Sequence, residues 1–531
     1  MTADTLAALL LARAGDDRPG LMFEDKAWSW REHVAACRAA GAWLSGHGAR
    51  LHVGVLSENV PELVFLVGGA ALSGHVVVAL NPTRSVDELI RDARATDVDL
   101  LLADDPYASA AGQVSEALGV DAMPLSAAGL EPPATPEDAP GDLVMLIFTS
   151  GTSGRPRAVR ITQRKLALPG MSLGARLTPA DVVYCSMPLF HSGALMAAYA
   201  PAVASGAALV LRRRFSASGL LPDIRRYGCT YLHYVGKALS YVLATPERAD
   251  DADNPLRLAF GNEGSAVATR RFGERFGCRV IDAFGSTETA ISLSPDPSGP
   301  PGCLGRLPAG VRILNPVTGS PCLPGRIEDG RLLNAEEAVG ELVNVAGPGL
   351  FEGYYNDPEA DAERIKDGAF WSGDLAYADE DGYVFFAGRG TERLRVDGEN
   401  LAVAPIEAAL REFAGVVEAA VYPVPDPAAG DQVMAALVLE GGFDPDAFTA
   451  FLASRRDLGA KSLPRFIRLS GDLPQTPSHK VLKRVLAREG WRTADPVWRR
   501  TGSGLRPLTH ADVKGIEEEF VRHGRQHLLE T

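Results

Sequence analysis

Hydrophobic and polar positions alternate along the first third of the chain in two kinds of block. Residues 31–44, 61–72 and 86–96 carry apolar side chains three and four apart, the spacing of a helix with one buried face. Each is followed by a short apolar run (51–56, 76–80 and 98–103) that reads as a strand covered on both faces. Helix and strand in alternation predict α/β layers with largely parallel strands. The longest apolar stretch, 63–80, is interrupted by Gly68, Gly69, Ser73, Gly74 and His75, so it predicts a buried helix and then a strand, not a membrane span.

A Pro/Ala/Glu-rich linker (131–140) leads into an apolar strand at 143–148, and a second α/β block runs to about Glu288. From Gly302 the texture changes. Glycine and proline become dense, with short strand candidates at 311–314, 340–345 and 383–387, which predicts a β-rich subdomain. After a boundary at 389–392 comes an α+β pattern: helix 405–413, strands 416–424 and 433–439, and helix 446–454. A tail from 491 ends in a charged amphipathic segment, 510–529. The predicted fold class is therefore α/β. Its large N-terminal domain, 1–388, has two α/β subdomains and a β-rich one; a hinge at 389–392 leads to a small domain at 393–490 and a tail at 491–531.

The formal net charge of −14 argues against a nucleic-acid binder, whose footprint would be basic. One basic cluster, Arg212-Arg213-Arg214, reads as a solvated loop, with docking of a phosphorylated ligand as the alternative. Six scattered cysteines show neither a Cys-x-x-Cys pair nor a zinc spacing, which suits a reducing, cytoplasmic setting. No secretory signal, lipidation motif or transmembrane segment is read from the sequence. A homodimer is the default expectation for such an enzyme-sized chain.

The chemistry concentrates in a few loops. Thr149-Ser150-Gly151-Thr152-Ser153-Gly154-Arg155-Pro156-Arg157 follows an apolar strand. Its glycines let backbone amides approach oxygen atoms, its hydroxyls donate, and Arg157 adds a fixed charge, as a polyphosphate cradle requires. It lacks the Walker A spacing. Farther on, Asp282-Ala283-Phe284-Gly285-Ser286-Thr287-Glu288 joins an aromatic, a tight glycine turn, a hydroxyl and a carboxylate. Trp371-Ser372-Gly373-Asp374 presents an acid after a turn, Gly388-Arg389 a cation, and Pro474-Gln475-Thr476-Pro477-Ser478-His479-Lys480 a loop lysine.

In this order the motifs resemble the AMP-forming acyl-CoA ligase, or adenylate-forming, superfamily. The closer resemblance is to its very-long-chain acyl-CoA synthetase and fatty-acid transport protein branch, carried by 231–246, 254–262, 393–402 and 495–509. The resemblance implies a small domain that moves between two half-reactions, and ATP, Mg²⁺ and coenzyme A as cofactors. It implies that Thr149 to Gly154 and Arg157 hold the β- and γ-phosphates. Phe284 would stack on adenine, with Gly261, Asn262 and Gly285 around it. Thr287 would touch the α-phosphate, Glu288 would ligate Mg²⁺, and Asp374 would take the ribose hydroxyls with help from Arg389. Lys480 would bridge carboxylate and α-phosphate. His191 would border the acyl and thiol channel, and Gly398, Glu399 and Asn400 would lie beside pantetheine. The activity implied is thioester formation on a bulky hydrophobic carboxylic acid, fatty or terpenoid-like, through an acyl-adenylate.

The phosphate loop departs from the usual Pro-Lys-Gly ending, with Arg157 and Ala158, and Thr391-Glu392 replaces a common hinge pair. Arginine is not equivalent to lysine at a phosphate. Three alternatives therefore stand beside the ligase: thioester formation only, from a preformed acyl-AMP; a stand-alone adenylation enzyme that loads a carrier protein; and a non-enzymatic lipid-binding protein.

Overall fold

The computed structural model describes residues 4–128, 139–150, 156–236, 238–262, 266–296, 298–300, 302–316, 318–328, 331–332, 334–389, 393–396, 399–455, 458–474, 481, 483–502 and 504–529. The chain divides into two compact units. The larger comprises Met1–Pro82, Leu89–Phe148 and Arg157–Gly388; the smaller comprises Thr83–Glu88, Thr149–Pro156 and Arg389–Thr531.

Three sheets of five or more strands build the larger unit, beside a two-stranded ribbon of Ile327–Glu328 and Arg331–Leu332. In the first α/β sheet, strands run in the order Asp121–Pro124, Leu100–Ala103, His52–Leu56, Val76–Ala79, Leu143–Ser150 and Pro156–Thr162. Its first four strand pairings are parallel. The second has seven strands: Arg279–Asp282, Leu258–Asn262, Tyr231–Val235, Val182–Cys185, Ala208–Leu211, and the hairpin Pro19–Phe23 and Lys26–Ser29. The helices expected at 31–44, 61–72 and 86–96 form at Trp30–His47, Pro61–Ser73 and Val86–Ala95. Ser29 and Glu32 close a reciprocal capping box that starts the first of them. One continuous apolar core, from Leu6 to Phe370, lies among these layers.

The β-rich part forms a third, antiparallel sheet from Gly305–Arg306, Tyr383–Arg389, Ala369–Ala378, Gly340–Asn344 and Val311–Leu314. Strand Ala369–Ala378 carries Asp374, so that acid does not follow a free turn as its sequence suggests. The pairing with Gly340–Asn344 slips between Glu341 and Val343, and Gly373 adopts φ 75°, as at a bulge.

In the smaller unit, helices such as Val403–Leu410 and Pro445–Ser454 accompany a five-stranded sheet of Val416–Pro425, Asp431–Leu439, Phe466–Leu469, Val497–Thr501 and Gly504–Pro507. The last two strands correct the expectation of a separate tail at 491–531. Val497–Thr501 pairs directly with Phe466–Leu469, and helix His510–Arg522 buries Ile516 and Phe520 in the core beneath the sheet. Of the expected hinge, Arg389 ends a strand of the larger sheet, and 390–392 lie outside the described residues.

Candidate active site

Arg157 is the second residue of strand Pro156–Thr162, and only 3% of it is exposed. Its guanidinium forms an ion pair with Glu363 and lies 5.4 Å from the centre of the Tyr354 ring. The Tyr354 hydroxyl donates to Oε1 of Glu288 at 2.9 Å in a buried hydrogen bond. Tyr354 is itself pinned by its backbone N–H, which donates to Asp361 Oδ1 at 2.7 Å. Asp361 and Glu363 belong to helix Pro358–Arg364, which the sequence starts firmly. Asp357 caps it by accepting from the Ala360 N–H, and Pro358 occupies its first turn.

The helix ends at Arg364, a buried cation whose Nη1 donates to the Trp371 carbonyl at 3.2 Å. Burial alone would lower its pKa; the fields of Tyr354, Glu288 and Asp374 outweigh that and keep the guanidinium charged. Arg157, Glu288 and Asp374, far apart in sequence, are thus linked through Tyr354 and Arg364.

Glu288 is buried, which by itself would favour the neutral acid. The Arg364 charge, its own backbone N–H, the Tyr354 hydroxyl and the Lys165 ammonium prevail and hold the carboxyl below the usual range. Lys165 is fully buried in helix Gln163–Gly174. Burial pushes its pKa down to about 8 against the fields of Glu288 and Glu352, and its Nζ donates to the Arg160 carbonyl at 3.3 Å. Glu341 is shifted the other way by burial, although its Oε1 accepts the Gly373 N–H at 2.6 Å.

Gly261 and Asn262 end strand Leu258–Asn262. A Cβ on Gly261 would stand 2.1 Å from the Tyr234 carbonyl oxygen, so this position admits no side chain. Asn262 Oδ1 is buried and has no hydrogen-bond partner among the described residues, while its carbonyl accepts the Gly236 N–H. Phe284 exchanges two backbone hydrogen bonds with Leu293, and its ring lies 6.1 Å from that of Phe386. Gly285 does not supply the tight turn read from the sequence. Its φ is not in the left-handed region and a Cβ there would meet nothing; the left-handed residue is Thr289, at φ 57°.

The Thr287 hydroxyl shares a 2.9 Å hydrogen bond with that of Ser192. This ties the Glu288 loop to the segment that carries His191, whose ring packs 4.7 Å from Phe190. Beneath Gly193 lies His233. Burial pushes its pKa down to about 4, its Nδ1 faces the Phe260 carbonyl at 3.2 Å, and its Nε2 has no partner among the described residues.

Not all the expected residues fall where the structure speaks. Gly151, Thr152, Ser153, Gly154, Gly398 and Lys480 lie outside the described residues. Thr149 and Ser150 end strand Leu143–Ser150, and Glu399 and Asn400 pair with Val396 and Arg395 in a two-stranded ribbon. The cluster Arg212 to Arg214 is internally balanced rather than a free basic loop: Arg212 pairs with Asp223, Arg213 with Asp104 and Arg214 with Glu58. Its alternative reading, as a phosphate dock, loses its charge. Conversely, Tyr354, Arg364, Lys165 and His233 were not singled out by the sequence, where they sit in ordinary helix and strand patterns.

Glu288 would offer a divalent cation a buried, ionised carboxylate. Among the described residues no group of three or more His, Cys, Asp or Glu side chains is placed to hold a metal. One buried, ionised carboxylate suits a magnesium ion that takes its other ligands from phosphate oxygens and water. Among the described residues no helix is long and apolar enough to cross a membrane.

Comparison with known proteins identifies the family. A family model described as AMP-binding enzyme matches residues 11–355, and one described as AMP-binding enzyme C-terminal domain matches 405–480. The chain is 48% identical to the medium/long-chain fatty-acid CoA ligase FadD17 of Mycobacterium marinum, over 94% of this chain and 99% of that protein. It is 44% identical to the steroid-22-oyl-CoA synthetase of Rhodococcus jostii, over 99% of both. Among solved structures, the o-succinylbenzoate CoA synthetase of Bacillus subtilis bound with a product analogue superposes with a TM-score of 0.78 at 25% identity, over 91% of this chain and 98% of that one. The chain belongs to the AMP-binding enzymes of the adenylate-forming superfamily.

Proposed function

We propose that the protein is an acyl-CoA ligase that converts a bulky hydrophobic carboxylic acid, a fatty acid or a steroid side-chain acid, into its coenzyme A thioester. The observation that carries this reading is the buried linkage of Arg157, Tyr354, Glu288, Arg364 and Asp374, in a chain whose near relatives are named as CoA ligases for such acids. In the first step a carboxylate oxygen attacks the α-phosphorus of ATP, and the bond to pyrophosphate breaks. In the second, the thiol of coenzyme A attacks the acyl carbon, loses its proton, and AMP leaves.

Bringing a carboxylate to a triphosphate requires fixed positive charge and excluded water. Glu288 is kept ionised to hold magnesium, which when bound neutralises phosphate charge. Asp374 accepts the ribose hydroxyls, and Phe284 offers the adenine an aromatic face. Thr287, held by Ser192, presents its hydroxyl to the α-phosphate. Lys480 bridges the two reacting groups, and Gly398 to Asn400 flank pantetheine.

A second reading is favoured by Arg157. Its guanidinium is committed to Glu363 and Tyr354, and in that arrangement it has less to offer a γ-phosphate. The protein would then make thioesters from a supplied acyl-adenylate. The two are separated by mixing the protein with Mg·ATP and a panel of C8–C18 and steroid acids, and measuring pyrophosphate. Acid-dependent release supports the full ligase. Acyl-CoA formed from acyl-AMP and coenzyme A, without any pyrophosphate from ATP, supports the second. Acyl transfer to a holo-carrier protein but not to free coenzyme A would point to a carrier-loading enzyme. Binding of acid with no turnover by either route would leave only a lipid-binding role.

A further inference from the structure

We propose that Arg364 is a positioning residue: it is wedged beneath the Trp371-to-Asp374 bulge and sets the Asp374 carboxylate for a ribose. The inference rests on the reading of Asp374 as the ribose acceptor.

Three features of the larger unit carry it. Arg364 is 5% exposed, and its Nη1 donates to the Trp371 carbonyl at 3.2 Å. The same Nη1 stands 2.6 Å from where a Cβ on Gly373 would be, so the guanidinium fills the space that the missing side chain leaves, at a residue whose φ of 75° also favours glycine. Its Nε is buried without a hydrogen-bond partner among the described residues, so it is not the centre of a closed network of ion pairs.

The residue before the acid and the one two places farther back therefore both rest on this side chain, which is anchored at the end of helix Pro358–Arg364. Glu341, from the neighbouring strand, accepts the Gly373 N–H at 2.6 Å and fixes the opposite side of the bulge. A carboxylate meant to chelate two adjacent hydroxyls must be held to within a fraction of an ångström, and a bulged strand gains that precision from such a support.

The test uses binding, so it does not depend on which half-reactions the protein performs. Calorimetry compares AMP with 2′,3′-dideoxy-AMP on the full chain. The wild type is expected to prefer AMP by roughly 10- to 100-fold, the value of charged hydrogen bonds to the hydroxyls. Asp374→Asn should collapse that preference to about 3-fold or less. Arg364→Met should do the same, weakening AMP while leaving dideoxy-AMP near its wild-type affinity, and Arg364→Lys should recover part of the preference. If the Met variant does not fold, Arg364→Gln is read in its place, since it keeps a donor for the Trp371 carbonyl.

A folded Arg364→Met or Arg364→Gln protein with wild-type preference overturns the proposal, even if its Tm falls, because a purely structural arginine would lower Tm and spare the ratio. If Asp374→Asn retains the preference, the ribose reading of Asp374 fails and the proposal falls with it.

Discussion

Two buried arginines, one from each compact unit, are held in opposite ways. In the smaller unit, Arg468 is closed off: Nε meets Asp495 at 2.7 Å and Ser470 at 3.0 Å, and Nη1 meets Glu489 at 2.6 Å. In the larger unit, Arg364 has a carbonyl and a phenol nearby, feels Glu288 and Asp374 through their fields, and keeps a buried Nε without a partner among the described residues. A fully paired ion network fixes a fold. An open one leaves carboxylates with unspent capacity, stable only while a fixed cation stands behind them, and that is the state a ligand site needs before its ligand arrives.

This contrast can be broken most directly at the open network. Replacing Glu288 by Gln should cut acid-dependent pyrophosphate release by roughly 100- to 1,000-fold in a steady-state assay while the protein stays folded. Wild-type rates in that variant would remove Glu288 from the chemistry. At the closed network the expectation reverses. Arg468→Met leaves two carboxylates without their cation and should cost about 3 kcal/mol in urea unfolding, with activity per folded molecule nearly unchanged.

Acid sharpens the comparison through two histidines buried in the larger unit. Burial pushes the pKa of His33 down to about 3 and that of His233 to about 4. Both folded values lie below the unfolded value near 6.5, so the unfolded chain takes up protons first. The stability is fully present above pH 6.5 and is lost as pH falls toward 4, by about 2 kcal/mol for each histidine at pH 5. Urea midpoints at pH 7 and pH 5 should differ accordingly, and His233→Gln should flatten the slope. The smallest effect is expected at Tyr354→Phe. It removes one hydrogen bond to the buried Glu288 carboxylate, worth about 1–2 kcal/mol, and should raise KM for Mg·ATP about 10-fold with a minor change in Tm.

Much of the layered architecture was legible because helices and strands in the first third announce themselves by apolar spacing, as at Pro61–Ser73 and Val76–Ala79. The supporting charges were not. Arg364 ends a helix, where a cation normally reads as a solvated partner of the dipole. Lys165 follows Gln163 and Arg164 in what looks like a polar helix start. Only tertiary packing turns these into buried groups beside Glu288, and no local pattern encodes which lysine will lose its water. Strand order is illegible for the same reason, and a division at 491 looked natural because the sheet that continues past it is assembled from non-adjacent segments. Thr287, Glu288 and Asp374 were visible as chemistry; what holds them was not.

The N-terminal hairpin has a kinetic corollary. Leu21 lies in parallel register with Leu209, and no earlier strand of that sheet neighbours it except its own hairpin mate. During translation at ordinary ribosomal speed, Pro19–Phe23 must wait roughly 10–40 s for its partner to be made. Over that interval the strand edge that Leu209 and Val210 later cover stays open, with its backbone groups left to water.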